Sequence, residues 1–422
     1  MNDLPHAQGP VPPGAVPPGA VLPGARLAAG IVACLTLLAV GWTGLLIPSL
    51  LRSIKETFDQ TDAGIGIVYL VYALAYASGS FCGGPLTERL GRRVVLGSAV
   101  LLTAIGAAGL GLAPSWPAFL LAAVALGMGA GCLDGGANGL VLDVYREGRG
   151  RAMSLLHMSF SIGALAAPLL VGTLVGSGAT WQAVVVGSGA VIALLALAYV
   201  AVPMPSARRS AGAADATVTA SPGGVAHRSL LTGPLLLLGV AIAAYVAAEI
   251  GVSNWIVAFL EPAPLTTATL ALSLYWAGLT VGRLLSSVIA DRFDHLRFTI
   301  TCALGMSVTI AVASLVPSLP LAIVAFFAAG VASGPVFPMI VAIGGERFPE
   351  RSAAVGGSLT GMAVVGSTVY PPAMGLLSVT VGLTVAMFGG AVLAVACVIA
   401  LVAFGRATSP SVDRQVVPQS GA

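Results

Sequence analysis

The chain has 422 residues, of which 57% are hydrophobic and 8% charged, with a formal net charge of +3 and a mean hydropathy of +0.98. A soluble domain carries roughly 25% charged residues, so a water-soluble enzyme is excluded and a polytopic helical membrane protein is the class that remains. The small net charge and the lack of basic arms give no support to nucleic-acid binding.

In chain order, residues 1–26 come first, Pro/Gly-rich and built on the repeat VPPGA-VPPGA-VLPGA. Such a segment has too little to bury and reads as a disordered tail. A membrane-spanning helix needs about 20 apolar residues, and twelve runs qualify. Leu27–Leu51, Ile65–Leu86, Val94–Leu112, Ala118–Leu142, Ala152–Val175 and Trp181–Val202 form a first bundle, 27–202. Residues 203–229, containing SARRSAGAADATVTASPGG, read as a flexible linker. Leu230–Leu260, Thr267–Ala290, Phe298–Val316, Leu321–Gly344, Ala353–Val379 and Val381–Phe404 form a second bundle, 230–404, and residues 405–422 form a C-terminal tail.

Sixteen of the nineteen Lys and Arg residues fall on one side if the N-terminus is cytoplasmic; Arg52 and Lys55 fall opposite, and Arg283 lies inside a span. This bias places both termini in the cytoplasm and the chain in the plasma (inner) membrane as a multi-pass protein. The halves also repeat. Glu88-Arg89 matches Asp291-Arg292, and Gly163, Pro168 and Gly172 match Gly366, Pro371 and Gly375, all at an offset of 203. Parallel six-helix repeats around a central linker describe an all-α, two-lobed transporter that is expected to be monomeric in its bilayer. The five cysteines lie in apolar runs without a CxxC pair, so no disulfide framework or metal site is expected. No P-loop, HExxH or GxSxG occurs. The chain therefore reads as neither an enzyme nor an ATP-driven pump, with no cofactor and an ion gradient as its energy source.

Gly84-Pro-Leu86-Thr-Glu88-Arg89-Leu-Gly91-Arg92-Arg93 resembles the GxLaDRxGRR signature between helices 2 and 3 of the major facilitator superfamily, with Glu in place of Asp. Ser287-Val-Ile289-Ala-Asp291-Arg292 is a weaker second copy, without the later glycine and arginines. The resemblance covers Leu27 to Phe404 and implies twelve transmembrane helices in two pseudo-symmetric six-helix bundles that work by alternating access. A carboxylate at a helix end and arginines in a tight turn can pair across the cytoplasmic seam and hold the lobes together when the cavity opens outward. Gly84, Glu88, Arg89, Gly91, Arg92, Asp291 and Arg292 are the candidates for that gate.

Three further segments resemble the fucose–proton and glucose–cation symporter group: Tyr245-Val-Ala-Ala-Glu249-Ile-Gly-Val-Ser-Asn254-Trp255, Leu133-Asp134-Gly-Gly-Ala-Asn138 and Leu156-His157-Met-Ser-Phe160-Ser-Ile-Gly163. Gly334-Pro335-Val-Phe337-Pro338 is also similar. The resemblance implies uptake of a sugar or similar small polar solute, driven by a proton or sodium gradient. Helix 1, with Gly41-Trp42-Thr43-Gly44, has no acidic residue where the fucose transporters carry one, so coupling falls on other spans. The alternative is a proton-driven drug or metabolite exporter, because the stretch from Gly163 to Gly172 is similar to the antiporter pattern GxxxGPxxGG. Against it, the position where such antiporters carry arginine in helix 4 is Ala123.

A charge inside a bilayer is expensive and marks function by default. Away from helix ends three qualify: Asp134, Glu249 and Arg283. Asp134 lies nine residues before Asp143, roughly 13 Å into the membrane at 1.5 Å per residue. Asn138 shares its face, four residues on. His157 on the neighbouring helix lies at comparable depth, and an Asp–His pair is suited to exchanging a proton. Asp134, Glu249 and His157 are therefore the coupling candidates. Asn138, Tyr245, Asn254 and Trp255 are the substrate-binding candidates, the aromatics as stacking surfaces for a sugar ring. Arg283, eight residues before Asp291, either snorkels to the interface or serves as the charge partner of a carboxylate. Pro168 and Pro371 are read as bends.

Overall fold

The computed structural model describes residues 23–145, 149–202 and 233–408, without the side chains of 149, 150, 291, 350, 352 and 353. The expected linker at 203–229 and nearly all of both expected tails lie outside the described residues. Among the described residues there are fourteen α-helices, two short 3-10 turns and no strand, and they make twelve helices long and apolar enough to cross a membrane.

Span 1 is α1 (Pro23–Gly44) continued by α2 (Leu46–Phe58). Spans 2 to 6 are α3 (Asp62–Leu90), α4 (Arg92–Leu112), α5 (Trp116–Val144), α6 (Arg149–Gly176) and α7 (Trp181–Ala201). Spans 7 to 9 are α8 (Gly233–Phe259), α9 (Leu265–Ile289) and α10 (His295–Leu315). Span 10 is α11 (Leu319–Ser333) with α12 (Val336–Arg347), and spans 11 and 12 are α13 (Ser352–Val381) and α14 (Leu383–Thr408). The helical chain thus starts four residues before Leu27 and ends four residues after Phe404. With an even number of spans, both ends lie at one face of the membrane, the terminal face; the other is the far face. Large apolar side chains such as Phe81 and Leu121 stand 69% and 71% exposed, a surface that lipid covers and water would not tolerate in such quantity.

The breaks in spans 1 and 10 fall where a glycine meets prolines that cannot donate a backbone hydrogen bond: Gly44 before Pro48, and Gly334-Pro335 before Pro338. At the second break, the Ser333 carbonyl takes the Tyr245 hydroxyl at 3.0 Å. Irregular backbone survives at membrane depth only when it is satisfied inside the protein. By contrast α6 and α13 run unbroken through Pro168 and Pro371.

The repeat is visible in the packing. A side chain at Gly127 would strike the Tyr72 carbonyl, and one at Gly330 would strike that of Tyr275; Gly131 meets the Tyr76 carbonyl, and Gly334 that of Leu279. Gly79 against Met128 is matched by Gly282 against Val331. Every one of these pairs is related by the offset of 203. Spans 2 and 4 therefore cross as spans 8 and 10 do, backbone against backbone, through small residues.

The lobes meet through spans 2 and 11 and through spans 5 and 8. These contacts lie toward the far face. Arg52 donates from Nε to the Val257 carbonyl at 2.8 Å and from Nη1 to that of Ala263 at 2.7 Å. Asp62 accepts from Lys55 in its own lobe and from Ser378 in the other. Tyr69 donates to the Asn254 carbonyl at 2.8 Å, and Ser273 to that of Leu165 at 2.9 Å. The deepest ring contact across the seam is Phe160 on Trp276, 6.0 Å between centroids, near mid-span. Among the described residues, the hydrogen bonds that join the lobes all lie on the far side of the Phe160–Trp276 contact. The molecule is closed at the far face and open at the terminal face.

Two outcomes follow from this packing. Gly131→Val and Gly334→Val each overpack a crossing at a cost of roughly 1–3 kcal/mol and lower the melting temperature in detergent. Gly139→Ala, where nothing lies within 4 Å, leaves it unchanged; equal melting for all three would show that the crossings are not close-packed. Arg52→Gln removes two bonds that tie the lobes, a shift of roughly 1–3 kcal/mol toward far-face opening. It is read as faster labelling of Asn254→Cys by an impermeant maleimide, in a background with the native cysteines replaced by serine. Unchanged labelling would mean that Arg52 does not hold the seam.

Candidate functional site

Span 4 presents Asp134 and Asn138 to the seam. Because Gly127 and Gly131 let span 2 approach, Tyr76 reaches across and donates to Asp134 Oδ2 at 2.8 Å. Asn138 donates to Asp134 Oδ1 at 3.0 Å and to its backbone carbonyl at 2.8 Å. Both carboxylate oxygens are thus engaged within the first lobe, as burial in low dielectric requires. Tyr72 stands beside Tyr76, ring centroids 6.1 Å apart.

His157 lies one turn to the terminal side of Phe160, where spans 5 and 8 begin to part. Its side chain is exposed and lies within electrostatic range of both Asp134 in its own lobe and Arg283 in the other. The second lobe supplies Glu249, which is 5% exposed. Arg283 Nη2 stands 3.9 Å from Glu249 Oε1, beyond hydrogen-bond length but close enough for an ion pair. Arg283 thus stands beside a carboxylate of its own lobe. Tyr275 fixes the helix around Glu249 by donating to its backbone carbonyl at 3.2 Å, and Trp276 donates to Ser253 at 2.9 Å.

The two aromatics expected to stack on a ring are enclosed in this conformation. Tyr245 is fully buried with its hydroxyl on Ser333. Trp255 is fully buried too, donating to the Pro371 carbonyl at 2.9 Å with its ring edge-on to Tyr69. Asn254 offers its backbone carbonyl to Tyr69 and is itself half-buried. It and Trp255 lie five and six residues beyond Glu249, roughly 8 Å nearer the far face. The structure therefore brings Asp134, Asn138 and His157 together with Glu249, Tyr245 and Arg283, and sets Asn254 and Trp255 into the closed part of the seam.

At the terminal face, Gly91 turns the chain with φ +86°, a conformation that favours glycine. This turn buries Arg92, whose Nη2 pairs with Asp143 Oδ2 at 2.5 Å. The pair joins spans 3 and 4 of one lobe and does not cross the seam. Glu88, Arg89 and Arg292 are exposed and Gly84 faces open space; the side chain of Asp291 lies outside the described residues. Among the described residues, no hydrogen bond or ion pair carries Glu88, Arg89, Arg92 or Arg292 across the seam at this face.

Tyr72, Tyr76, Tyr275 and Ser333 were not among the residues singled out from the sequence. A signal existed for one pair: Tyr72 and Tyr275 stand 203 apart, at the repeat offset. Ser333 could not be found this way, because its role comes from a carbonyl released by a helix break.

The family model of the Major Facilitator Superfamily matches residues 30–263 and 238–420. The sodium-dependent glucose transporter 1 of Xenopus laevis is 36% identical over 121 residues, 28% of this chain and 24% of that protein. The chain therefore matches about a quarter of that relative's length. The cis,cis-muconate transport protein of Acinetobacter baylyi is 24% identical over 382 residues, 86% of this chain and 91% of that one. The fold is shared with a bacterial homologue of the human lysosomal transporter Spinster, solved inward-facing and occupied, at a TM-score of 0.76 and 18% identity, covering 92% and 98% of the two chains.

The Arg92–Asp143 pair makes a prediction of its own. Arg92→Gln leaves Asp143 without its cation and destabilises the protein by roughly 1–3 kcal/mol, the loss of a charged hydrogen bond, read as a lower melting temperature. Adding Asp143→Asn costs little more. Strictly additive losses in the double variant would mean that the two residues do not act as a pair.

Proposed function

The chain belongs to the major facilitator superfamily, and from that premise we propose that it takes up a sugar or a similar small polar solute by alternating access, coupled to a cation, a proton in the first instance. It is a multi-pass membrane transporter rather than an enzyme. The observation that carries the coupling is the pair of acids, Asp134 and Glu249, one from each lobe, both at membrane depth beside the seam and both away from the interface. An acid in this position exists to exchange a proton or to grip a cation or solute.

The hydrogen bonds around them suit that work. The Tyr245 hydroxyl donates to the Ser333 carbonyl at 3.0 Å and stands beside Glu249. Asp134 is held by two donors and lies within range of His157, which can pass a proton between it and the open side. Asn138, Asn254, Tyr245 and Trp255 are the side chains that a solute would meet, Asn254 and Trp255 only as the far side opens. The glucose-transporter relative supports a sugar; the muconate relative, which aligns over most of the chain, supports the wider class of small polar solutes. The excess of Lys and Arg at the terminal face supports a cytoplasmic location for both termini in the plasma (inner) membrane. On that orientation the structure is inward-open, and the loop of Glu88 and Arg89 meets Asp291 and Arg292 only in the opposite state.

The test is uptake of radiolabelled hexose into proteoliposomes under an imposed inward proton gradient, then under a sodium gradient. Accumulation above equilibrium is the expected result. Asp134→Asn and Glu249→Gln reduce it to equilibration while retaining counterflow, because exchange of a bound solute needs no net proton movement. A variant at either position that still concentrates solute would remove that residue from the coupling.

A further inference from the structure

The polar groups at the open seam are unequally satisfied. The two carboxylates are occupied or enclosed: Asp134 takes Tyr76 and Asn138, and Glu249 is 5% exposed. The donors are not. Among the described residues, neither the Arg283 guanidinium nor the His157 ring makes a side-chain hydrogen bond within 3.5 Å. Arg283 is 33% exposed, and His157 is exposed. The two lie on facing spans of opposite lobes, on the terminal side of the Phe160–Trp276 contact and within electrostatic range of each other.

A guanidinium at membrane depth is costly without partners. Its five donors form a planar fork matched to a carboxylate. A charge-assisted N–H···O bond is about 2.7–2.9 Å long, so Arg283 at 3.9 Å from Glu249 has not closed on it. A neutral polyol would ask the site for acceptors as well as donors. A carboxylate asks for donors alone, and the Arg283 and His157 side chains are charged or ring donors that the seam leaves without a hydrogen bond.

We propose that the transported solute carries a carboxylate, a sugar acid in the first instance, received by the Arg283 fork with His157 as the second donor. This rests on the transport reading above and narrows its substrate class. The groups around Arg283 are Glu249 and Tyr245 from span 7, Tyr275 from its own span, and His157 from the other lobe, with Asp134 behind His157. Of these, the two carboxylates oppose an arriving anion unless they bear protons, so proton entry and anion entry favour one another.

The experiment is equilibrium binding to the purified full-length protein at fixed pH and ionic strength, with D-glucuronate, D-glucose and adipate as probes. Glucuronate and glucose differ at one carbon, a carboxylate in place of a hydroxymethyl. Glucuronate should bind roughly tenfold or more tightly than glucose, the yield of a charge-assisted fork. Arg283→Gln erases the difference, and Arg283→Lys, which keeps the charge and loses the fork, retains part of it. Adipate binding without glucuronate would uphold the anion site and remove the sugar. Glucose binding as tightly as both acids would overturn the anion site and leave the sugar reading intact. Failure of all three probes to bind, in protein that melts cooperatively, would overturn the proposal.

Discussion

Helices in a bilayer gain no hydrophobic free energy by touching one another, so they hold together through close packing and satisfied polar atoms. In this chain the close packing is concentrated where spans 2 and 4, and spans 8 and 10, cross on glycines whose missing side chains let one backbone rest on the next. The site inherits its dimensions from those crossings. Tyr76 reaches Asp134 because Gly131 places the two spans at backbone contact. Likewise Gly334, which packs against Leu279, sits at the break that hands the Ser333 carbonyl to Tyr245.

The scaffold is repeated and the chemistry is not. At the offset of 203, Asp134 corresponds to Phe337, and Arg283 corresponds to Ser80. The first lobe carries a carboxylate held by neutral donors; the second carries a carboxylate facing a cation. Two lobes with the same frame can rock as equivalent bodies, while the side chains they present to the seam differ. The far-face contacts complete the picture: Arg52, Asp62 and Tyr69 tie the lobes through backbone carbonyls and one hydroxyl rather than through a deep ion pair. Ties of this kind are individually modest, as a seam that must open requires.

Much of this was legible in the sequence because the bilayer imposes it. Span number follows from run length and hydropathy, the repeat from one offset shared by separate markers, and the charged candidates from their cost at membrane depth. The approximate depth of Asp134 and its pairing with Asn138 follow from helix rise and period alone. Trp255 and Tyr245 show the limit. The spacing of Tyr245 put it on the stripe of Glu249, but spacing carries no information on which neighbouring span covers a side chain, and both aromatics are enclosed.

The amino-acid sequence by itself therefore determined the twelve spans, the two lobes, the family and the short list of buried charges, since each depends on local composition or on the chain's likeness to itself. Only the tertiary structure decided which charges face one another, that Arg92 serves its own lobe through Asp143, that Arg283 stands opposite Glu249, and that the seam is shut at the far face. Those relations join residues tens to hundreds of positions apart, and they arise from how whole helices cross. A helix crossing is set by the fit of two surfaces, which neither helix's sequence contains alone.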